Sequence, residues 1–271
     1  MLAPARKLLF ANGCSMTYGS ELADDINQVC VDDAFRQANA WPGRLQKALG
    51  HAAAINWAVP SGSNDRIVRT TIQWVLGEHL QKGNSPDELL VVVGWSGPMR
   101  REFYVDRQWR QVVPYHDHEN PSLQRLVEVY REVAWADFES SIRFLTEVLS
   151  LQSFLQVYAV PYLFFDAISP IQETLCFAGD DGLPYANAID RKRYFGFDDI
   201  NGCMADAVAD AVPKWNGKHP SAEGHAWWSE RLREYIETRQ IVTSLPAEAG
   251  GLSSPVSRGA RRRGPVDYVY R

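Results

Sequence analysis

The stretch Phe10-Ala-Asn-Gly-Cys-Ser-Met-Thr-Tyr-Gly19 decides the fold. It opens at the end of a short apolar run, Lys7–Asn12, and breaks at Gly13. A continuous apolar run stopped by glycine predicts a buried strand followed by a turn. A turn that leads on into a helix exposes Ser15 at the carboxyl end of that strand. Open parallel sheets bind ligands at such ends, and backbone N–H groups there face whatever docks. Taken alone, a Gly-x-Ser after a strand is more often only a turn.

Working outward, further apolar runs cover Ala54–Val59 and Glu88–Trp95, the latter centred on Leu89-Leu-Val-Val-Val93. Phe154–Val160 reads as a fourth strand, with Leu163–Asp166 as another candidate. Continuous rather than alternating runs suit a parallel sheet covered on both faces. Helical periodicity falls between them: Pro42 to Leu49, Asp65–Leu80, a long stripe from Leu126 to Leu149 after Asn120-Pro121, and Ser221–Arg239. Strand–helix alternation predicts a three-layer α/β/α sandwich with a mostly parallel sheet. Two segments stand outside that scheme, a predicted hairpin over Glu102–His116 and an irregular excursion over Ile171–Val212. Residues 1–242 are expected to form one domain. Residues 243–271, rich in Ser, Gly, Pro and Arg, are expected to form a tail outside it.

Composition excludes several classes. The 271 residues are 45% hydrophobic and 23% charged, enough to bury a substantial core. The net charge of −5 argues against a nucleic-acid binder or a polybasic membrane binder. The tail carries five arginines against Glu248 and Asp267, so the body is more acidic than the whole. No apolar stretch nears the roughly 18 residues of a spanning helix. Cys14, Cys30, Cys176 and Cys203 are too dispersed for a zinc or redox motif. The expected setting is the cytoplasm, with reduced thiols and no membrane partner.

A second segment, Trp215-Asn-Gly-Lys-His-Pro-Ser-Ala-Glu-Gly-His225, raises the odds that Ser15 does chemistry. His219, held by Pro220 ahead of a helix capped by Ser221, is well placed for proton transfer. A serine nucleophile needs such a base, since a free hydroxyl attacks poorly near neutral pH.

Gly13-Cys-Ser15, Gly62 after the second strand, Gly94 after the third and His219-Pro220 lie in order over residues 7–240. Together they resemble the four blocks of the SGNH (GDSL-like) hydrolase superfamily. The resemblance implies a flavodoxin-like sheet and acyl transfer from an ester to water or another acceptor, with no metal or organic cofactor. It implies Ser15 as nucleophile and oxyanion donor, Gly62 as second donor and His219 as base. The implied partner is a small-molecule or glycan ester.

Two positions depart from that pattern. Ser96 stands where the family places an asparagine, leaving Ser96 or nearby Asn64 as candidate third donor. Asn216 stands where the family places the aspartate that orients the histidine. Asparagine fixes the imidazole without offering it a charge, and in a serine protease that change costs roughly 10⁴-fold in rate. A backbone carbonyl or a distant acid are the other candidates. The double departure supports a second expectation, a weakened descendant that binds a small molecule, glycan or protein in the same cleft.

Other residues are weighed more plainly. Trp95, at the end of the third strand, and Arg100, just past it, are candidate substrate contacts, Arg100 for an anion. His225 is expected to pack or cap. His116-Asp-His118-Glu119 is expected to bind no metal, because neighbours in a polar loop rarely converge on one ion. Asp65, Arg66 and Arg69 are expected on a solvated helix face.

Overall fold

The computed structural model describes residues 7–25, 29–212 and 215–241. The expected tail therefore lies outside the described residues. Five strands form one parallel sheet: β1 Leu8–Asn12, β2 Ala53–Asn56, β3 Leu89–Trp95, β6 Tyr162–Asp166 and β7 Tyr194–Phe195, in the order β2-β1-β3-β6-β7. Counted within the sheet this is the flavodoxin-like order 2-1-3-4-5, and the winding reverses between β1 and β3.

Period-two alternation sends successive side chains to opposite faces. Phe10, Val91, Val93, Trp95 and Phe164 face one layer, built from α4 (Asn64–Trp74) and α6 (Asp137–Val157). Leu9, Ala11, Leu90, Val92 and Phe165 face the other, built from α3 (Trp41–Ala48), α9 (Met204–Ala211) and α10 (Ala222–Arg239). Each fully buried Leu or Phe contributes about 2 kcal/mol by leaving water, and both faces are covered. The three-layer α/β/α fold stands as expected.

The hairpin is also present, as β4 Arg101–Val105 paired with β5 Gln108–Val112. The long stripe is two helices, α5 Pro121–Val129 and α6, separated by extended Trp135 and Ala136. Phe154–Val160 is not a strand. Phe154 and Leu155 continue the α6 stripe, Ala159 reverses the chain at φ 53°, and β6 follows. The segment after β6 is more regular than expected, holding α7 Ile171–Ala178, α8 Leu183–Ala188, β7 and α9. Among the described residues no helix is long and apolar enough to cross a membrane. All four cysteines are unpaired.

Candidate active site

Ser15 opens α1 (Ser15–Tyr18), directly beyond β1, and Gly19 closes that short helix in the left-handed conformation at φ 85°. The turn is tightly built. A Cβ on Gly13 would meet Thr17 Oγ1 and the Gly94 carbonyl, so the ends of β1 and β3 approach only as glycines. Asn12 Nδ2 donates to Thr70 Oγ1 and Thr71 Oγ1, each at 2.9 Å, tying the end of β1 to α4. Asn56 Nδ2 donates to Thr17 O at 2.9 Å and braces α1 from the β2 side. Ser15 thus sits at the switch point of the sheet on a backbone held from both sides.

His219 belongs to a small hairpin, β8 Trp215–Asn216 and β9 His219–Pro220, whose β9 packs against α1. The fold therefore brings the elements carrying Ser15 and His219 together. Gly217, at φ 63°, is the first residue of the two-residue turn, a position that favours glycine. The Asn216 side chain lies outside the described residues.

A residue the sequence reading did not single out, Glu21, reaches this hairpin from just past α1. Its Oε2 accepts from Lys218 N at 2.8 Å and His219 N at 3.2 Å. Its Oε1 lies 3.1 Å from His219 Nδ1, an ion-pair approach bent away from a straight hydrogen bond. A Cβ on Gly217 would fall 2.6 Å from Oε2, so the carboxylate occupies the space that the missing side chain leaves. The signal that could have found Glu21 is local: the first acidic residue after Ser15, two past a left-handed glycine.

The family model DUF6071, described as a family of unknown function, matches residues 20–248. The chain belongs to DUF6071. That span takes in Glu21 and His219 and begins after Ser15. Comparison with curated proteins finds no match. The chain is similar to a solved structure assigned to the lipolytic G-D-S-L family from Desulfitobacterium hafniense (13% identity, 87% of this chain and 99% of that one, TM-score 0.42). It is similar to a Corynascus carbohydrate esterase family 2 enzyme with its carbohydrate-binding domain (14%, 89% and 68%, 0.48). A third likeness is to the esterase EstA from Pseudoalteromonas (10%, 86% and 97%, 0.44). All three TM-scores lie below one half.

The remaining candidates fall in different places. Gly62 N–H donates to Val59 O at 3.1 Å, so its hydrogen is engaged in a turn. Asn64 spans two loops, with Nδ2 donating to Ser96 O at 2.9 Å and Oδ1 accepting from Ser96 N at 2.8 Å. Ser96 Oγ is buried and, among the described residues, has no hydrogen-bond partner. Trp95 corrects the sequence reading: it is fully buried, edge-on to Phe144 and Phe164, and touches no cleft. Period two on β3 aims it at the core with Val91 and Val93.

The expected solvated face of α4 is corrected as well. Arg66 is buried and donates to Trp57 O at 3.3 Å. Arg69 holds the buried Glu102 carboxylate through two bonds of 2.8 Å and lies 4.2 Å from the Trp109 ring centre. Glu102 also accepts from Gln111, whose Oε1 takes Ser63 N–H, and Asp65 accepts from Glu102 N. The β4–β5 hairpin is thereby clamped to α4 beside the candidate site.

His225 packs, as expected. It is fully buried, its Nδ1 accepts from Trp41 N at 3.2 Å, and burial first, then His219 and Arg44, push its pKa down to about 3. Burial also lowers the pKa of His116, followed by the charges of Arg100, His118 and Lys218. Among the described residues, no group of three His, Cys, Asp or Glu side chains has the geometry to hold a metal.

Proposed function

We propose that this protein is a serine ester hydrolase or acyltransferase in which Ser15, His219 and Glu21 form the reacting chain. The observation that carries the reading is the Glu21 carboxylate on the His219 ring, on a hairpin packed against the helix that Ser15 opens. It answers the objection raised by Asn216, because a carboxylate holds the imidazole by its Nδ1 and offers a charge to the imidazolium. Catalytic hydrogen bonds are often bent in the free enzyme and straighten with substrate.

In this reading Ser15 Oγ attacks the ester carbonyl while His219 Nε2 takes its proton. Glu21 stabilises the charged ring without itself being protonated. The carbonyl oxygen becomes an oxyanion facing Ser15 N–H, which has no intrahelical partner at a helix start. Ser96 Oγ, buried and unpartnered, is the second donor this arrangement favours, since Gly62 N–H and the Asn64 amide already have partners. Collapse breaks the ester C–O bond, His219 returns the proton to the leaving alcohol, and Ser15 keeps the acyl group. Water or another acceptor then attacks, its proton passing to His219, and Ser15 is released.

The test is covalent labelling by a fluorophosphonate together with turnover of a short-chain ester. Wild type is expected to label and turn over, and Ser15→Ala to do neither. Labelling that persists unchanged in Ser15→Ala would overturn the assignment.

A further inference from the structure

The loop joining β3 to β4 carries an arginine with no acidic partner among the described residues. Arg100 is only 8% exposed. Its Nε and Nη1 are inaccessible and without hydrogen-bond partners, and Nη2 reaches only Tyr115 Oη at 3.3 Å. Among the described residues no carboxylate lies at ion-pair distance. The other arginines near this face are engaged: Arg69 with Glu102, Arg101 with Glu139, Arg143 with Glu139 and Glu147. A buried guanidinium without a counter-charge is costly, and the cost is recovered when an anion arrives.

The surroundings keep it there. Arg100 N donates to Gly97 O, Tyr130 Oη donates to Met99 O at 2.7 Å, and Arg143 Nη2 donates to Pro98 O at 2.6 Å. These bonds pin the backbone from Gly97 to Arg100, so an anion reaches the shielded guanidinium through a shift of side chains rather than of the loop. The loop follows β3 at the same carboxyl edge of the parallel sheet from which α1 carries Ser15.

We propose that the ester taken by this site carries an anionic group, a carboxylate or a phosphate, received by Arg100 with the Tyr115 hydroxyl. The inference rests on the hydrolase reading for the word ester, whereas the anion site itself does not depend on it. Arg100 supplies a full positive charge with Nε and Nη1 unused and Nη2 on Tyr115 alone, which suits a carboxylate or a phosphate better than a neutral hydroxyl. In this arrangement it fixes which end of the substrate points away from Ser15.

The experiment uses the full chain with Ser15→Ala to block turnover. Calorimetry compares monomethyl succinate, methyl phosphate and neutral dimethyl succinate. At least one monoanion is expected to bind ~10-fold or more tightly than the neutral diester, with the advantage shrinking at high salt. Arg100→Gln is expected to erase that advantage and Arg100→Lys to keep part of it, with thermal melts confirming that each is folded. The tighter of the two monoanions names the anion. Equal binding of charged and neutral probes would overturn the proposal even if no variant folded, as would a folded Arg100→Gln that still prefers the monoanion. Arg100-dependent, charge-selective binding in a protein that hydrolyses no ester would leave the anion site standing and overturn the hydrolase reading. In the Ser15-intact chain, hydrolysis of nitrophenyl butyrate and nitrophenyl hemisuccinate at equal kcat/KM would do the reverse.

Discussion

Glu21 Oε1 stands 3.1 Å from His219 Nδ1, between residues 198 apart in the chain. The same carboxylate accepts both backbone N–H groups at the end of the hairpin turn. One side chain therefore braces the backbone that carries the histidine and lies beside its ring.

Glu21→Gln keeps the shape and removes the charge. Its kcat is expected to fall ~10²- to 10⁴-fold with little change in KM, because the loss is felt only as the imidazolium forms. Glu21→Asp, too short to hold ring and backbone together, is expected to fall in between. Steady-state kinetics of the two variants checks both statements, and wild-type rates in Glu21→Gln would remove Glu21 from the reacting chain.

Gly217→Ala tests the same contact from the other side. The new methyl group would sit 2.6 Å from Glu21 Oε2 on a backbone at φ 63°. It is expected to cost ~1–2 kcal/mol of stability and to lower kcat well beyond what partial unfolding explains. Denaturant melts read beside turnover separate the two effects.

The clamp between α4 and the β4–β5 hairpin should be strongly coupled. Glu102, with a side chain 3% exposed, holds Arg69 through two bonds. Glu102→Ala is expected to cost ~2 kcal/mol, because Arg69 and the Gln111 amide both lose their acceptor and the hairpin its clamp. The double variant with Arg69→Met should cost less than the sum of the singles. Additive losses in a double-mutant cycle would contradict the coupling.

The pH dependence of stability has a definite sign at Asp166. This carboxyl is fully buried at the end of β6, accepting from Tyr194 Oη at 2.6 Å and Ile171 N at 2.7 Å. Burial raises its pKa from 3.8 to about 7. The folded state therefore holds a proton that the unfolded state releases, and this group's contribution declines as pH rises from 3.8 to about 7. Glu147, also raised by burial to about 7, acts in the same direction. His225, lowered from 6.5 to about 3, acts oppositely and adds stability as pH rises through that window. The check is thus a difference: Asp166→Asn should lose stability less steeply with rising pH than wild type, measured by urea melts from acid to neutral pH.

Short-range patterns were legible. The apolar run before Gly13, the β3 run and the His219-Pro220-Ser221 start of α10 each read correctly, because burial and capping depend on residues a few positions apart. The reading failed where two elements share one pattern. Phe154–Val160 is apolar enough for a strand, yet its first residues complete a helix already 17 residues long, and only packing against the sheet separates the two. Arg66 and Arg69 looked like a solvated face because their acceptors, Trp57 O and Glu102, lie on other parts of the chain. Trp95 looked available because it adjoins Gly94, but neighbours on a strand face opposite ways.

The amino-acid sequence by itself determined the alternation of strands and helices, the turn that carries Ser15 and the histidine set before the last helix, whereas packing leaves Ser15 only 9% exposed. Each follows from hydrophobic period, glycine and proline, whose effects are local. Tertiary structure alone decided that Glu21 meets His219 in a chain with asparagine at position 216, and that Arg100 is buried without a counter-ion. Coulomb interactions act through space and depend on what the folded chain brings near and removes from water. No spacing along the chain records that.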